Sequence, residues 1–390
     1  MTEPQISPEL NVTLDLLDRL IGFPTISSDG NADCIAWIEA YLSGLGARCK
    51  ITSDTPGKAN IFATIGPDVD GGLILSGHTD VVPVAGQKWS SDPFTMRRAE
   101  DRVFGRGACD MKGFVAAAMA MAGHYASLDM KKPVHFAFTY DEEVGCLGAR
   151  VLIDQMIREG LRPAVCIVGE PTSMRIIEGH KGCCAYSTEF RGVEGHSSQP
   201  ALGVNALEYA AKFVAKLMDL RTNLPAMAPE NSPFDPPHST SSICGLHSGV
   251  AHNVIPNVAV VDWEMRVVQD SDRVFIRQGM QDYVDQVLRP AMQAKSPDCD
   301  IVETITREFE GLMPDPNSEA VKVLQELTGA NTTDVVAFGT EAGFFQRAGI
   351  STVVCGPGSI AQAHKPDEFV TLDQLQACLD LMKRLGGKLV

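Results

Sequence analysis

Phe136-Ala-Phe-Thr-Tyr-Asp-Glu-Glu-Val-Gly145 joins a hydrophobic run to two adjacent carboxylates. The run 134–138 predicts a buried strand, because β-branched and aromatic residues follow Pro133. Glu142 and Glu143 then stand at the carboxyl end of that strand, where two like charges repel each other and lose solvation. A fold that places them there needs cations or protons nearby, and a metal site would supply the cations.

The composition is that of an ordinary globular protein. The chain has 390 residues, of which 44% are hydrophobic and 21% charged, enough for two domains or for one domain with an insertion. A formal net charge of −16 argues against a nucleic-acid binder, whose surface would be basic. The negative net charge favours cationic over anionic substrates only weakly, because the charges within a binding site determine which substrate binds there.

Cysteine usage and hydropathy bear on the compartment. The 11 cysteines form an odd number without Cys-x-x-Cys, and most lie in apolar runs, which indicates reduced thiols rather than a disulfide framework. No basic region followed by an apolar core begins the sequence, and no apolar stretch approaches membrane-spanning length. We therefore expect a cytoplasmic protein without a membrane or nucleic-acid partner.

The order of predicted elements divides the chain into three segments. Residues 1–181 alternate helices (10–21, 32–43, 111–128, 148–159) with strands (47–52, 61–65, 73–76, 134–139, 164–168), which predicts an α/β fold. Residues 182–310 follow a β-α-β-β-α-β order, with helices at 201–220 and 271–293, which is typical of a ferredoxin-like α+β domain. Helix–strand alternation resumes in 311–390. The simplest architecture is a catalytic α/β domain in two segments with a smaller inserted domain.

Candidate metal ligands follow several of the predicted strands. In Ser76-Gly-His-Thr-Asp80, His78 would bind a metal while Asp80 orients its other ring nitrogen. For this short pattern alone, a loop histidine beside an unrelated aspartate is the better interpretation. Glu170 follows the strand at 164–168, and His364 lies in a loop after the strand at 352–355, where a lone histidine is more often structural.

Asp110 has two possible roles. It lies in Gly105-Arg-Gly-Ala-Cys-Asp-Met-Lys-Gly113, which is rich in glycine but lacks the spacing of a phosphate-binding loop. The commoner role for such a residue is to cap the helix predicted at 111–128. Alternatively, its two carboxylate oxygens bridge two cations.

Together these residues point to a dinuclear site. Ligands in open α/β sheets gather at the carboxyl ends of the strands, where these side chains are expected. Two histidines and several carboxylates suit two adjacent divalent ions with open positions, which can polarise a carbonyl group. The ligand types allow zinc, cobalt or manganese.

The ordered set His78-x-Asp80, Asp110, Glu142-Glu143, Glu170 and His364 resembles the acetylornithine deacetylase, succinyl-diaminopimelate desuccinylase and aminoacylase family of metallohydrolases. The resemblance implies a phosphorylase/hydrolase-like mixed-sheet catalytic domain with an inserted dimerisation (lid) domain, and two metal ions, zinc by family default. His78 and Glu170 would bind one ion, Glu143 and His364 the other, and Asp110 both, through a loop whose 110–111 peptide is typically cis. Glu142 would be the general base and Asp80 would support His78.

The resemblance also assigns residues of the inserted domain. His196 in Gly195-His-Ser-Ser198 would cross a homodimer interface to stabilise the oxyanion in the partner's site, with a turn and helix cap as a strong alternative. Arg266 would bind a substrate carboxylate, because a guanidinium fork matches that group, with a solvated face of ion pairs as the alternative. Asn253 resembles a substrate-contacting asparagine.

Phe338-Gly-Thr-Glu-Ala-Gly-Phe344 resembles the deacetylase branch of the family more than the desuccinylase branch. Gly339, Thr340 and Glu341 would then contact the substrate, with Glu341 facing an ammonium group. Helix-start chemistry, in which Thr340 caps and the dipole favours Glu341, is an equal alternative. The expected reaction is hydrolysis of N2-acetyl-L-ornithine in arginine biosynthesis. The rivals are a desuccinylase, a broad N-acyl-L-amino-acid amidohydrolase, and a catalytically silent binding protein.

Overall fold

The computed structural model describes residues 6–390, so the first five residues of the predicted segment 1–181 lie outside it. Within this range the α-helices are α1 (Pro8–Ile21), α2 (Ala32–Gly44), α3 (Lys112–Ala126), α4 (Leu147–Arg158), α5 (Ala206–Arg221), α6 (Asp270–Tyr283), α7 (Arg289–Gln293), α8 (Glu319–Thr328), α9 (Ala342–Arg347) and α10 (Leu372–Gly386). The strands are β1 (Arg48–Thr52), β2 (Asn60–Ile65), β3 (Leu73–His78), β4 (Arg97–Ala99), β5 (Arg102–Phe104), β6 (Val134–Thr139), β7 (Val165–Pro171), β8 (Ile177–His180), β9 (Gly182–Arg191), β10 (Gly195–His196), β11 (Thr240–Ser248), β12 (Val254–Ile255), β13 (Val258–Val267), β14 (Asp300–Phe309), β15 (Asp334–Val336), β16 (Ser351–Gly356) and β17 (Phe369–Thr371).

The chain forms two compact units. The first unit contains the chain up to Gly179 together with Leu312–Val335 and Thr340–Val390, and the second contains His180–Gly311 and Val336–Gly339. The sequence-based bounds 182–310 lie inside the second unit. Gly339 also belongs to this unit, whereas Thr340 and Glu341 belong to the first.

An eight-stranded mixed sheet organises the first unit, in the order β1-β2-β6-β3-β7-β16-β8-β15. The four central strands β6, β3, β7 and β16 are parallel, so their carboxyl ends lie at one edge. Every residue of β2, β3, β6 and β7 is buried. This matches the almost continuous apolar sequences of β3, β6 and β7, because a parallel sheet is covered on both faces.

Helices complete the layers of this unit. The Ala- and Met-rich α3 packs against α1, α10 and β3, which explains why small residues dominate it. The helix α4 packs against β6 and α9. The first unit is therefore a mixed α/β fold in which the carboxyl ends of the parallel strands lie at one edge of the sheet.

The second unit contains a four-stranded antiparallel sheet, ordered β11-β13-β9-β14. Residues along β13 alternate between buried and half-buried, because one face packs against helices α5 and α6. Trp263 stacks on Tyr186 at 4.3 Å between ring centroids and meets Phe213 edge-on at 6.2 Å. The longer elements run in the order β9, α5, β11, β13, α6, α7 and β14, and the two short strands β10 and β12 pair with each other in addition to the order expected for 182–310.

Two predicted helices begin or run differently from the prediction. The helix expected at 201–220 starts only at Ala206, because the side chain of Asn205 accepts hydrogen bonds from the N–H groups of Leu207 and Glu208 and so caps it there. The helix expected at 271–293 is interrupted by a π-helical turn, Val284–Leu288. Pro290 follows in the first turn of α7, where its missing N–H breaks the regular hydrogen-bond ladder.

Within residues 6–390, no helix has the length and apolar character needed to cross a membrane. All 11 cysteines are free thiols, and nine of them are buried.

Candidate metal centre and active site

Two groups of potential metal ligands meet at the carboxyl edge of the large sheet. His78 at the end of β3, Asp110 and Glu170 in β7 form the first group, and Asp110, Glu143 and His364 form the second. The donor atoms of each group lie within 4.8 Å of one another. The structure thus brings together all five residues that the family resemblance assigned as ligands.

Asp110 connects the two groups through its two oxygens. Its Oδ1 lies 3.2 Å from Nε2 of His78, and its Oδ2 lies 3.3 Å from Nε2 of His364. Met111 is the residue that directly precedes α3, and no side chain caps that helix. The helix-cap interpretation of Asp110 is therefore wrong. The Asp110–Met111 peptide bond is cis, as the resemblance implied.

The donor set fits divalent cations. Oε1 of Glu170 is buried without a hydrogen-bond partner, although it lies only 3.8 Å from Nε2 of His78. A buried acceptor without a donor is costly, and a cation would satisfy it. Nitrogen and carboxylate donors in these numbers suit zinc, cobalt or manganese.

The electrostatics of the two histidines show the same demand for positive charge. Burial lowers the pKa of His78, but its contacts with Asp110 and Asp80 outweigh burial and raise that pKa well above the ordinary value. Hydrogen bonds to Asp110 and Glu143 raise the pKa of His364 to about 10. These carboxylates stabilise a positive charge, which either protons or metal ions can supply.

Glu142 lies beside the ligands but belongs to neither group. Desolvation raises its pKa well above the ordinary value, and the neighbouring Glu143 and Asp110 carboxylates raise it further, while His78 opposes them. A carboxyl group with a raised pKa and no metal to bind can accept a proton near neutral pH and pass it on.

Asp80 has a second role that the sequence did not reveal. Nδ1 of His78 lies 2.8 Å from the backbone carbonyl of Asp80 and 3.5 Å from its carboxylate. The carboxylate itself accepts the N–H of Glu142 at 3.1 Å, the N–H of Glu143 at 3.3 Å and the hydroxyl of Ser27 at 2.7 Å. Asp80 therefore fixes the turn that carries the base and one ligand as well as the ring of His78.

Glu341 does not present an open carboxylate. Its side chain is buried, and its two oxygens accept hydrogen bonds from the hydroxyls of Ser76 at 2.6 Å and Thr139 at 2.7 Å. Thr340 is also buried, and its hydroxyl accepts the N–H of Ala342 at 3.0 Å. Direct contact between Glu341 and a substrate would require this arrangement to open, so a substrate role for Glu341 stays a prediction.

The remaining predicted site residues lie in the second unit. His196 is exposed, with Nδ1 2.7 Å from the hydroxyl of Ser198, and Asn253 is also exposed. Arg266 forms a bidentate ion pair with Glu264, at 3.1 and 3.2 Å. At Gly339, a Cβ atom would lie 1.7 Å from the ring of Phe309, so this close approach requires a glycine. Contact between Gly339 and a substrate stays a prediction.

The fold and this ligand arrangement define a class of metal-dependent amide hydrolases. Residues 74–387 match the model of peptidase family M20/M25/M40, and the chain belongs to that family. Acetylornithine deacetylase from Aliivibrio salmonicida is 33% identical over 379 residues, which cover 95% of this chain and 96% of the relative. Acetylornithine deacetylase from Shigella sonnei is 33% identical over 365 residues, 92% of each chain.

A solved structure shows the same fold. The M20 family metallo-carboxypeptidase from Sulfolobus solfataricus superimposes with a TM-score of 0.74 at 20% identity, over 97% of this chain and 98% of the other. The resemblance inferred from the ligand motifs is thereby confirmed at the level of the family.

Proposed function

We propose that this protein is a dinuclear metal-dependent deacetylase that converts N2-acetyl-L-ornithine into L-ornithine and acetate. The observation that carries the chemistry is Asp110, whose two oxygens face the two histidines of adjacent ligand groups while Glu142 stays outside both groups. The choice of substrate is supported by relatives of nearly equal length that are named acetylornithine deacetylase. The reaction would belong to arginine biosynthesis in the cytoplasm.

Two divalent ions would be held by His78, Glu170, Glu143 and His364, with Asp110 shared by the two ligand groups. The family resemblance implies that these ions are zinc. Bound there, such ions polarise an amide carbonyl and lower the pKa of a water molecule. Glu142 removes the proton from the attacking water and delivers it to the leaving amine. Asp80 holds Glu142 in place through the backbone N–H.

A panel of substrates tests the assignment. Acetylornithine, acetylmethionine and succinyl-diaminopimelate are offered to one metal-analysed sample, and acetate or succinate release is measured. We expect the highest kcat/KM with acetylornithine. Equal turnover of acetylmethionine would indicate a broad N-acyl-amino-acid hydrolase, and preference for the succinyl compound would indicate a desuccinylase.

Glu341 can be tested with the same panel. If its carboxylate meets the ornithine ammonium, Glu341→Gln lowers turnover of acetylornithine much more than that of acetylmethionine. If its role is to join α9 to Ser76 and Thr139, both substrates lose activity equally.

The second unit would act as a ferredoxin-like dimerisation domain. Its antiparallel sheet order β11-β13-β9-β14 supports this topology, and the exposed His196 is free to enter the site of a partner subunit. Arg266 would exchange its contact with Glu264 for the substrate carboxylate, assisted by Asn253, so Arg266→Ala should raise KM more than it lowers kcat.

Mixed dimers test the role of His196 in the partner's site. The variants His196→Asn and Glu142→Gln are each expected to be inactive alone. After co-expression in equal amounts, half of the dimers are mixed and each has one complete site, which restores about a quarter of wild-type activity. If His196 acts within its own chain, no mixture recovers activity.

A further inference from the structure

The loop that carries Asp110 surrounds a buried carboxylate that comes from the other end of the chain. Glu368 is 1% exposed, and its Oε1 accepts the N–H of Cys109 at 2.8 Å and the N–H of Asp110 itself at 3.0 Å. Its Oε2 accepts the N–H of Gly107 at 3.0 Å. Three backbone donors of one loop thus converge on a single internal anion, as in the concave anion sites formed by successive N–H groups.

Arg106 joins this carboxylate to the loop of His364. Its Nη1 donates to Oε2 of Glu368 at 2.7 Å and to the carbonyl of Lys365 at 3.4 Å, and the side chain is as buried as that of Glu368. Its Nη2 donates to Oε1 of Gln87 at 2.6 Å. Gln87 in turn donates from Nε2 to the carbonyl of His364 at 2.9 Å.

The connection matters because neither ligand is held by a regular element. Asp110 precedes α3 without capping it, and His364 has a left-handed backbone conformation with φ of 63°. Such a conformation is unfavourable for a residue with a side chain and persists only where the surroundings fix it. The hydrogen bond from Gln87 to the carbonyl of His364 is one such restraint.

We propose that Glu368, Arg106 and Gln87 form a positioning network that sets the distance between Asp110 and His364, and hence the geometry of the second ligand group. Glu368 holds Asp110 through its backbone N–H, Gln87 holds His364 through its carbonyl, and Arg106 joins the two. None of the three side chains belongs to either ligand group. The inference rests on the proposed metal site but not on the identity of the substrate.

The network predicts unequal effects on the two metal sites. Gln87→Ala releases His364 only, so it should weaken binding at the group formed by Asp110, Glu143 and His364 by about 10- to 100-fold, the usual effect of removing a partner behind a metal ligand. Binding at the group of His78, Asp110 and Glu170 should stay at the wild-type level. Glu368→Gln releases Asp110, which both groups share, and should weaken both.

A matched control is available one residue away. Asp367 also has a positive φ, which asparagine tolerates, and its carboxylate contacts only the backbone and hydroxyl of Ser90 among the hydrogen bonds described for it. Asp367→Asn should therefore leave the affinity of both metal sites unchanged.

The experiment titrates metal-free wild type and the three variants with Co²⁺, following the absorption spectrum and the number of bound ions. Hydrogen exchange of the peptide that contains residues 105–111 is measured on the same metal-free samples. We expect faster hydrogen exchange in Glu368→Gln alone, and selective weakening of one of the two cobalt sites in Gln87→Ala. The proposal would be overturned if residues 105–111 of Glu368→Gln exchange hydrogen at the wild-type rate, or if Gln87→Ala weakens both cobalt sites equally.

These measurements need no substrate, so they separate the network from the proposed function. If the protein binds two Co²⁺ ions and the variants behave as expected while acetylornithine is not hydrolysed, only the substrate assignment fails. If Glu368→Gln does not fold, Gln87→Ala still decides, because Gln87 is only half-buried.

Discussion

The thiol of Cys146 donates to the carboxylate of Glu142, with 3.6 Å between Sγ and Oε1. Cys146 stands just before α4 with φ of 55°, in a backbone conformation uncommon for a non-glycine residue. Burial raises the pKa of this thiol well above its ordinary value, so it remains a donor across the working pH range. The proposed base is therefore restrained by a sulfur donor from the turn that follows it.

Replacing this donor should change the pH profile of the enzyme. A hydrogen bond to the charged carboxylate favours that form, so Cys146→Ala should move the acidic limb of the kcat profile to higher pH and lower kcat a few-fold. Cys378→Ala is the control, because Cys378 is also a buried cysteine but lies in α10. An unshifted acidic limb in Cys146→Ala would show that the thiol does not act on Glu142.

Removing the base itself should abolish catalysis without releasing metal. Glu142→Gln keeps the size of the side chain but cannot accept a proton, so kcat should fall by about 10²- to 10⁴-fold, the usual range for general acid–base catalysis. Because Glu142 belongs to neither ligand group, the variant should still bind two ions. Acetate release and metal content are measured on one sample, and substantial residual activity at full metal content would contradict the assignment.

Chelation should make stability strongly dependent on pH on the alkaline side. His364 has a folded pKa of about 10, above that of the unfolded chain, so its stabilising effect is complete below about pH 6.5 and is lost as pH rises towards 10. The raised pKa values of Glu142 and Glu170 act in the same direction, because the unfolded chain loses those protons at lower pH. Metal ions replace these protons.

The measurement is the Tm of chelated and metal-loaded protein from pH 6.5 to 9. We expect the Tm of the chelated protein to fall over this range, so that the gain in Tm on metal addition grows with pH. A gain that shrinks as pH rises would contradict this account of the site.

On the acidic side, His135 should limit stability. Its ring is buried in β6, stacks on Phe62 at 5.0 Å and shares a hydrogen bond with Thr64 at 2.8 Å. Burial lowers the pKa of His135 to about 4. As pH falls, the unfolded chain therefore binds a proton at this residue from about pH 6.5, whereas the folded protein binds it only near pH 4. Stability is therefore lost over that window, by at most about 3 kcal/mol from this residue.

His135→Asn tests this expectation. Thermal unfolding of chelated protein is compared at pH 7 and pH 4.5 for wild type and variant. The variant should lose less stability between these two pH values, even if lost stacking lowers its stability at both. An unchanged difference between the two pH values would assign the acid sensitivity to other groups.

Local sequence predicted the parts of the site that follow from strands. His78, Glu142, Glu143 and Glu170 stand at or just after buried apolar runs, and such runs become parallel strands whose ends meet. The bounds 134–139 of β6 were predicted without error for the same reason. Hydrophobic periodicity and cap residues predicted the first residues of helices less accurately. α5 begins at Ala206 where position 201 was expected, and α3 begins at Lys112 without the expected cap from Asp110.

Side-chain partners distant in sequence were not predictable. Asp80 meets the backbone of Glu142 across 62 residues, Glu368 meets that of Asp110 across 258, and Ser76 meets Glu341 across 265. Each pair depends on the packing of several elements, and no local pattern marks a carboxylate that will accept a distant N–H. For Glu341 the sequence left contact with an ammonium group and helix-start chemistry as equal alternatives, and neither included the hydrogen bonds from Ser76 and Thr139.

The position of β16 in the large sheet has a consequence for folding during synthesis. β16 lies between β7 and β8, yet it begins only at Ser351, after the whole second unit. A nascent chain must therefore keep one side of β7 unpaired until the second unit and β16 have been synthesised. His364 follows β16 in the sequence, so the second ligand group cannot assemble before the second unit has emerged.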